Sequence, residues 1–347
     1  MNEITSFCQS FKKDFTPRAQ DPRQPVHCWS EKDVLDGKVV DAYVIILRTR
    51  GCSWALVSGC TMCGYFNDSM FSPVSEKDFQ SQFEKAMQSY KGEKIVKLFT
   101  SGSFLDPHEI PVPVQHEILS TLTERAEKIS VESRPEYVTD KRLSDIQKVV
   151  SSKLFEIGIG LETSNDLVRE KAINKGFTYN DYKKAATLLK KHQMNVKTYV
   201  LMKPPFLTEK ESLDDCIRTA QDIAPYTDLV SLNPTNVQRH TVVEYLWKRN
   251  QYRPPWLWSI VEFLKQSKRL TDAFVKCDAV GGGSMRGAHN CGVCDRKVLN
   301  AIEEFSLSQK QDSLDNLTCD CKEKWLDQLD LENLSFGSLI DFARWKP

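Results

Sequence analysis

The chain has 347 residues, 40% hydrophobic and 27% charged, the composition of a globular protein with one large core or two modest ones. Lys plus Arg and Asp plus Glu balance at 47 each, which argues against a stand-alone RNA binder but not against an enzyme that meets RNA within a complex. No apolar run is long enough to span a bilayer, and the start MNEITSFCQSFKKDF lacks the apolar stretch of a secretion signal, so the cytoplasm is the expected compartment.

In chain order, residues 43–47 (YVIIL) read as the first strand and run into Arg48-Thr49-Arg50-Gly51-Cys52. Ser75 opens a helix, with Asp78 three residues on and Phe79, Phe83 and Met87 along one face. Further strands are expected at 95–100, 129–133, 155–162, 196–202 and 229–232. Helices fall between them: from about Gln115, over 141–150, 165–173 and 180–194, and from the capping box Thr208-x-x-Glu211 to about Ile223. Six strands alternating with helices imply an α/β fold, a parallel sheet that right-handed connections curl into a partial (βα)6 barrel. Function in such a barrel gathers at the strand C-termini, where Cys52, Ser101-Gly102-Ser103, Glu132-Ser133-Arg134, Glu162 and Lys203 fall. The expected division is an N-terminal extension over 1–36, the barrel over 37–275 and a small Cys-rich, metal-binding C-terminal domain over 276–347.

Two other stretches are notable. Tyr245, Trp247, Tyr252, Trp256 and Trp258 crowd together with Lys248, Arg249 and Arg253, suited either to stacking on nucleotides or to packing the tail on the barrel. Lys183, Lys184, Lys190, Lys191 and His192 make a basic helical stripe, which is usually a solvated face.

Eleven cysteines, eight of them in two windows, favour metal ligation over disulfides in a chain without a secretion signal. The first window holds Cys52, Cys60 and Cys63. Three thiolates on one loop can bind three irons of a [4Fe–4S] cluster and leave the fourth open for a ligand. A zinc site completed from elsewhere, or ordinary buried thiols, are the alternatives. Tyr65 and Phe66 follow directly and could shield such a cluster. The second window offers Cys277, His289, Cys291, Cys294, Cys319 and Cys321. Zinc needs four such ligands, and the expected set is Cys291 and Cys294 with two of Cys277, Cys319 and Cys321. A second iron–sulfur cluster or unligated thiols are the rivals there. Cys8, Cys28 and Cys216 stand alone and read as small buried apolar residues.

On the triad, the sequence resembles the radical S-adenosylmethionine (SAM) superfamily over roughly 37–275, with a longer first gap than the common C-x3-C-x2-C, somewhat like the Elongator catalytic subunit. The resemblance implies that the open iron chelates the amino and carboxylate groups of SAM. An electron from a low-potential donor then cleaves SAM to methionine and a 5′-deoxyadenosyl radical that abstracts hydrogen from the substrate. It also implies a glycine-rich turn after the second strand: Gly102 and Ser103 fit, but the glutamate often found there is missing. Glu132 and Glu162 could meet the SAM ribose or amine, or instead pair with Arg134 or Lys203.

The segments RTRGCSWALVSGCTMCGYFND, VESRPEYVT, IGIGLETSND, YVLMKPPFLTE, SLNPTNVQRHTVVEYLW, YRPPWLWS and RGAHNCGVCD together resemble the radical SAM subunits of archaeosine synthase. That likeness implies tRNA as substrate and a lysine transferase as partner subunit. The transferase attaches lysine to a 7-cyano-7-deazaguanine base, and the radical SAM subunit cleaves the lysine C–N bond to leave a formamidine. The alternatives are another radical SAM reaction on RNA, or a non-enzymatic metal-stabilised interaction module.

Overall fold

Short runs of β-branched and aromatic residues, punctuated by capped amphipathic stretches, dictate an alternation of strands and helices. The computed structural model describes residues 3–13, 15, 20–151 and 153–334; the end of the expected tail, 335–347, lies outside them. Eight strands form one sheet in sequence order: β1 (His27–Leu35), β2 (Lys38–Ile46), β3 (Ile95–Phe99), β4 (Lys128–Glu132), β5 (Leu154–Glu162), β6 (Asn195–Met202), β7 (Leu229–Pro234) and β8 (Phe274–Cys277). β1 and β2 make an antiparallel hairpin, and every later pair is parallel. A sheet whose spatial order equals its chain order is a half-barrel, each helix crossing once to the next strand.

All six expected strands are present. β1 and β8 are additions. β1 (HCWSEKDVL) is one-third charged, and β8 (FVKC) has only four residues, so neither carries a strong apolar signature. The expected helix over 165–173 is a single turn, Asp166–Val168, that widens into a π turn, Arg169–Ile173, and ends on left-handed Asn174 (φ 59°). The other helices follow their caps. Ser75 accepts from the Asp78 N–H at the start of Glu76–Met87, and Thr208 and Glu211 complete a reciprocal box on Glu209–Ile223.

Strand alternation separates two faces. Val96, Leu98, Ile129, Val131, Ile157, Val196, Val230 and Leu232 pack with the helices into one apolar core. On the other face lie Lys97, Ser130, Glu156, Lys197, Ser231 and Lys276, all buried. Most of these pair with one another or with the hairpin. Lys97 bonds Glu31 at 2.7 Å and also meets Asp33, Lys128 bonds Glu156 at 2.6 Å, and Lys276 lies 3.9 Å from Asp33. Asp33 therefore links the first strand to β3 and β8, across the open half-barrel.

The tail shares the barrel's core. Val298, Ile302 and Phe305 of helix Asp295–Ser308 and Trp325 and Leu329 of helix Cys321–Asn333 join the same apolar cluster as Trp258 and Phe263. Buried Glu209 pins the Trp-rich stretch to the barrel: it pairs with Lys203 at 2.7 Å and accepts from the Trp256 N–H at 2.8 Å and the Ser259 hydroxyl at 2.5 Å. Of the two roles open to that stretch, Trp256 and Trp258 therefore serve packing. The basic stripe is balanced by acids, with Lys190 on Asp228 and both Lys191 and His192 on Asp140. Among the described residues, no helix is long and apolar enough to cross a membrane.

Candidate functional site

The loop after β2 carries Cys52, Cys60 and Cys63. Cys52 precedes the short helix Ser53–Val57, and the chain then reverses at Gly59 (φ +102°), where a side chain would strain the backbone and collide with Lys12. The loop is held from several sides. Thr61 donates to Ile173 O at 3.0 Å and, through its hydroxyl, to Ala172 O at 2.6 Å. The Asn174 amide donates to Gly59 O at 2.8 Å, and the Trp54 indole returns a bond to Asn174 O at 2.8 Å. Gln238 accepts from the Gly64 N–H. Helix Glu3–Lys13 closes the remaining side: the Lys12 ammonium donates to Ala55 O at 2.5 Å and Ser58 O at 3.0 Å, and Gln9 donates to Ser58 O at 2.6 Å. The π turn and this first helix thus position the loop, and neither was legible in its cysteine spacing.

The three thiols share one electrostatic neighbourhood. Burial raises all of them, Cys63 to about 12, with the charges of Cys60 and Cys52 adding to the effect on Cys63. The cations Lys175 and Arg134 oppose the rise at Cys60. Among the described residues, the one group of metal-binding side chains with all its ligand atoms within 4.8 Å of one another lies in the tail.

Around the triad stand the C-terminal ends of β3, β4 and β5. The Gly102 N–H donates to Thr100 Oγ1 at 3.0 Å, and a Cβ on Gly102 would sit 2.6 Å from Cys52 Cα, so only glycine lets the two loops touch. Ser103 lies behind it, its hydroxyl accepting from the Arg134 N–H at 3.0 Å. Buried Glu109 ties these loops together by accepting from the Ser103 N–H at 2.6 Å and the Thr49 hydroxyl at 2.7 Å. Burial lifts its carboxyl to about 7. Sequence reasoning missed Glu109, which belongs to no motif and acts across two loops distant in the chain.

Arg134 lies 5.5 Å from the Trp54 ring and 5.3 Å from that of Phe177, and pairs with Glu136 at 2.5 Å. Glu162 adopts a left-handed conformation (φ 70°) at a bulge in β5 and bonds Lys175 at 2.6 Å. Burial disfavours the Lys175 ammonium, but the Glu162 carboxylate outweighs it and holds the pKa above the ordinary value. Neither Arg134 nor Lys203 is the partner of Glu162, and Lys203 is taken by Glu209. Glu132 faces the barrel interior, raised by burial and held by a hydrogen bond from the Tyr199 phenol.

The second site is tighter. Cys291 Sγ lies 3.9 Å from Cys294 and 3.7 Å from Cys319, and Cys294 lies 3.6 Å from Cys321. A tetrahedron with metal–sulfur bonds of about 2.3 Å has sulfur–sulfur edges of about 3.8 Å. The starts of helices Asp295–Ser308 and Cys321–Asn333 bring the two pairs together. The Asn290 amide donates to Cys294 Sγ and the Trp258 indole to Cys321 Sγ, both at 3.3 Å, as outer partners do for ligating thiolates. Hydrogen bonding from the Cys294 N–H lowers the exposed Cys291 thiol to about 7. Cys277, expected among the ligand candidates, stands apart: it ends β8, buried in the apolar core, with its N–H on Ser306. The His289 ring is likewise used locally, its Nδ1 on Gly287 O at 2.8 Å. Cys8 is buried, as expected, but against the cysteine loop, where it adds to the charge felt by Lys12.

A half-barrel with a cysteine loop after its first parallel strand defines a class, and the Radical SAM superfamily model matches residues 46–218. Archaeosine synthase subunit beta of Methanosarcina acetivorans is 43% identical over 324 residues, covering 91% of this chain and 93% of that protein. Its counterpart in Thermococcus kodakarensis is 38% identical over 305 residues, covering 86% and 94%. The chain belongs to the archaeosine synthase subunit beta family of radical SAM enzymes. Among solved structures, an N-terminally deleted Elp3 of Methanocaldococcus infernus aligns over 67% of this chain and 59% of its own at 16% identity, with a TM-score of 0.48.

Proposed function

We propose that this chain is the radical SAM subunit of an archaeosine synthase, cleaving the C–N bond of a lysine attached to a 7-deazaguanine base in tRNA. Cys52, Cys60 and Cys63 would hold a [4Fe–4S] cluster with one iron left open for SAM. The observation that carries the reading is that triad: three part-buried thiols that feel one another's charge, on a loop braced from several sides, where three strand ends converge. A cluster bound there supplies the electron that splits SAM into methionine and a 5′-deoxyadenosyl radical.

The chain's own residues do the positioning. Gly102 and Ser103 let the neighbouring loop lie against Cys52, close enough for their backbone to meet SAM. The Glu162–Lys175 pair and Arg134 set one carboxylate and two cations beside Cys60, matching the mixed charge of an amino-acid group. Radical chemistry suits the substrate, since a lysine carbon offers no acidic proton for a base to remove. The modified base must leave the tRNA interior to reach the loop, at a cost of roughly a few kcal/mol. With balanced charge overall, grip on the RNA falls to the partner lysine transferase, and a low-potential donor completes the system. The tail quartet would hold zinc, whose bond length matches its edges, and would lock two helix starts together. Eleven unpaired cysteines suit the reducing cytoplasm.

The test uses protein reconstituted under argon with its partner. Lysine-modified tRNA should be consumed only with SAM and reductant, yielding archaeosine. Equal turnover of free lysine or of unmodified tRNA would sink the assignment.

A further inference from the structure

Lys197 is the unusual cation of the barrel interior. It sits on β6 in register with Gly158 of β5, which is itself in register with Glu132 of β4. Its neighbours Val196 and Thr198 face the helices, Val196 in the apolar core and Thr198 on the Tyr182 hydroxyl, so Lys197 points into the concave side. It is 4% exposed. Its ammonium rests 4.5 Å from the Tyr199 ring centre and 5.9 Å from that of Phe99, and makes no hydrogen bond or ion pair among the described residues.

The charges nearest to it are already committed. Asp278 pairs with Lys276 at 3.3 Å, and Glu156 with Lys128 at 2.6 Å, while Lys276 and Lys97 repel it. Burial together with those two ammoniums brings Lys197 down to about 8. A buried cation without an anionic partner costs stability, and an anion arriving from outside would relieve that cost. Beside it Gly158 presents no side chain, and the Tyr199 ring lies over that glycine, where a Cβ would come within 2.9 Å of it. Glu132 stands on the far side of that glycine, two strand spacings or about 10 Å from Lys197 between backbones, and the two charges act on each other.

We propose that Glu132 and Lys197 form the subsite for the charged end of the substrate's lysine, Lys197 receiving its carboxylate and Glu132 its ammonium. This rests on the substrate reading above. A lysine joined to the base through one nitrogen keeps a free carboxylate and one charged nitrogen, the two features this rung can read. SAM carries the same pair of groups. Lys175, Arg134, Glu162 and Lys12 are the charges that act most on Cys60, and Glu132 in turn feels Lys175 and Glu162, so SAM affinity is the measurement that separates the two ligands. With the lysine seated there, the anchor would keep the scissile carbon in one place while the radical is formed.

The test compares two tRNA substrates in the reconstituted enzyme, one bearing lysine on the base and one bearing 1,5-diaminopentane, which lacks only the carboxylate. Wild-type enzyme should prefer lysine by at least about tenfold in kcat/KM, the worth of one charged hydrogen bond. Lys197→Met should abolish that preference while leaving SAM affinity and substrate-free 5′-deoxyadenosine formation within about twofold. Because an unpaired buried ammonium is replaced by an apolar chain, its melting temperature should not fall. Glu132→Gln is the second variant and should slow both substrates, since both carry the ammonium. An unchanged preference in Lys197→Met, equal use of both substrates by wild type, or a loss of SAM affinity in the variant would overturn the proposal. Wild type that makes 5′-deoxyadenosine but consumes neither tRNA would instead overturn the substrate reading, and the subsite with it.

Discussion

Cys60 and Cys63 stand three residues apart on a loop, and so do Cys291 and Cys294, yet the two pairs end in different surroundings. In the tail, two helix starts press four sulfurs to edges of 3.6–3.9 Å, closed around the space of one ion. After β2, a third sulfur arrives from the strand end, and carboxylates and cations of neighbouring strands face the thiols. A C-x-x-C pair is thus neutral as to use. The number of further thiols and the charges around them decide whether it can seal a metal for structure or leave one open for chemistry.

The sharpest way to break this contrast is Cys60→Ala. The contrast predicts that 5′-deoxyadenosine formation falls at least about a hundredfold while the melting temperature and the tail metal are retained; substantial SAM cleavage in this variant would remove the triad from the chemistry. Next comes Cys294→Ala, which takes a buried ligand from the closed site. Elemental analysis should find the tail metal gone, and denaturant unfolding should record a loss of about 3–5 kcal/mol, with iron at the triad unaffected. Loss of iron instead would mean that the two sites are not independent.

The brace behind the triad supplies a pH test. Glu109 has a folded pKa of about 7, above its unfolded value, so the folded state holds the proton more tightly. The stability this gives is full below the unfolded value, declines as pH rises toward 7, and is absent above it, a swing of up to about 3 kcal/mol. Glu109→Gln should flatten that slope in unfolding curves taken between pH 4.5 and 7.5; an unchanged slope would assign it to other groups. The smallest effect is expected at Cys277→Ala, which should leave tail metal content unchanged and cost about 1 kcal/mol.

The contrast also explains what was legible in the sequence. Strands with continuous apolar runs, such as YVIIL, and helices with Thr208–Glu211 type caps were plain, because each depends on residues close in the chain. β1 was hidden because its charges, Glu31 and Asp33, are satisfied by Lys97 and Lys276 from strands far along the chain. The tail ligands were narrowed to five cysteines but not to four. Excluding Cys277 needs the knowledge that β8 carries it into the core. Glu109, Asn174 and Lys12 act on the cysteine loop only through tertiary contacts, so no local pattern marks them.

The proposed open iron can be probed directly by pulsed electron paramagnetic resonance on the reduced, reconstituted protein with SAM labelled with nitrogen-15 at its amino group. The account predicts a hyperfine coupling between that nitrogen and the cluster, abolished in Cys60→Ala and intact in Cys294→Ala. A reduced cluster that takes no coupling at saturating SAM would mean that its fourth iron is already closed, and would contradict the account.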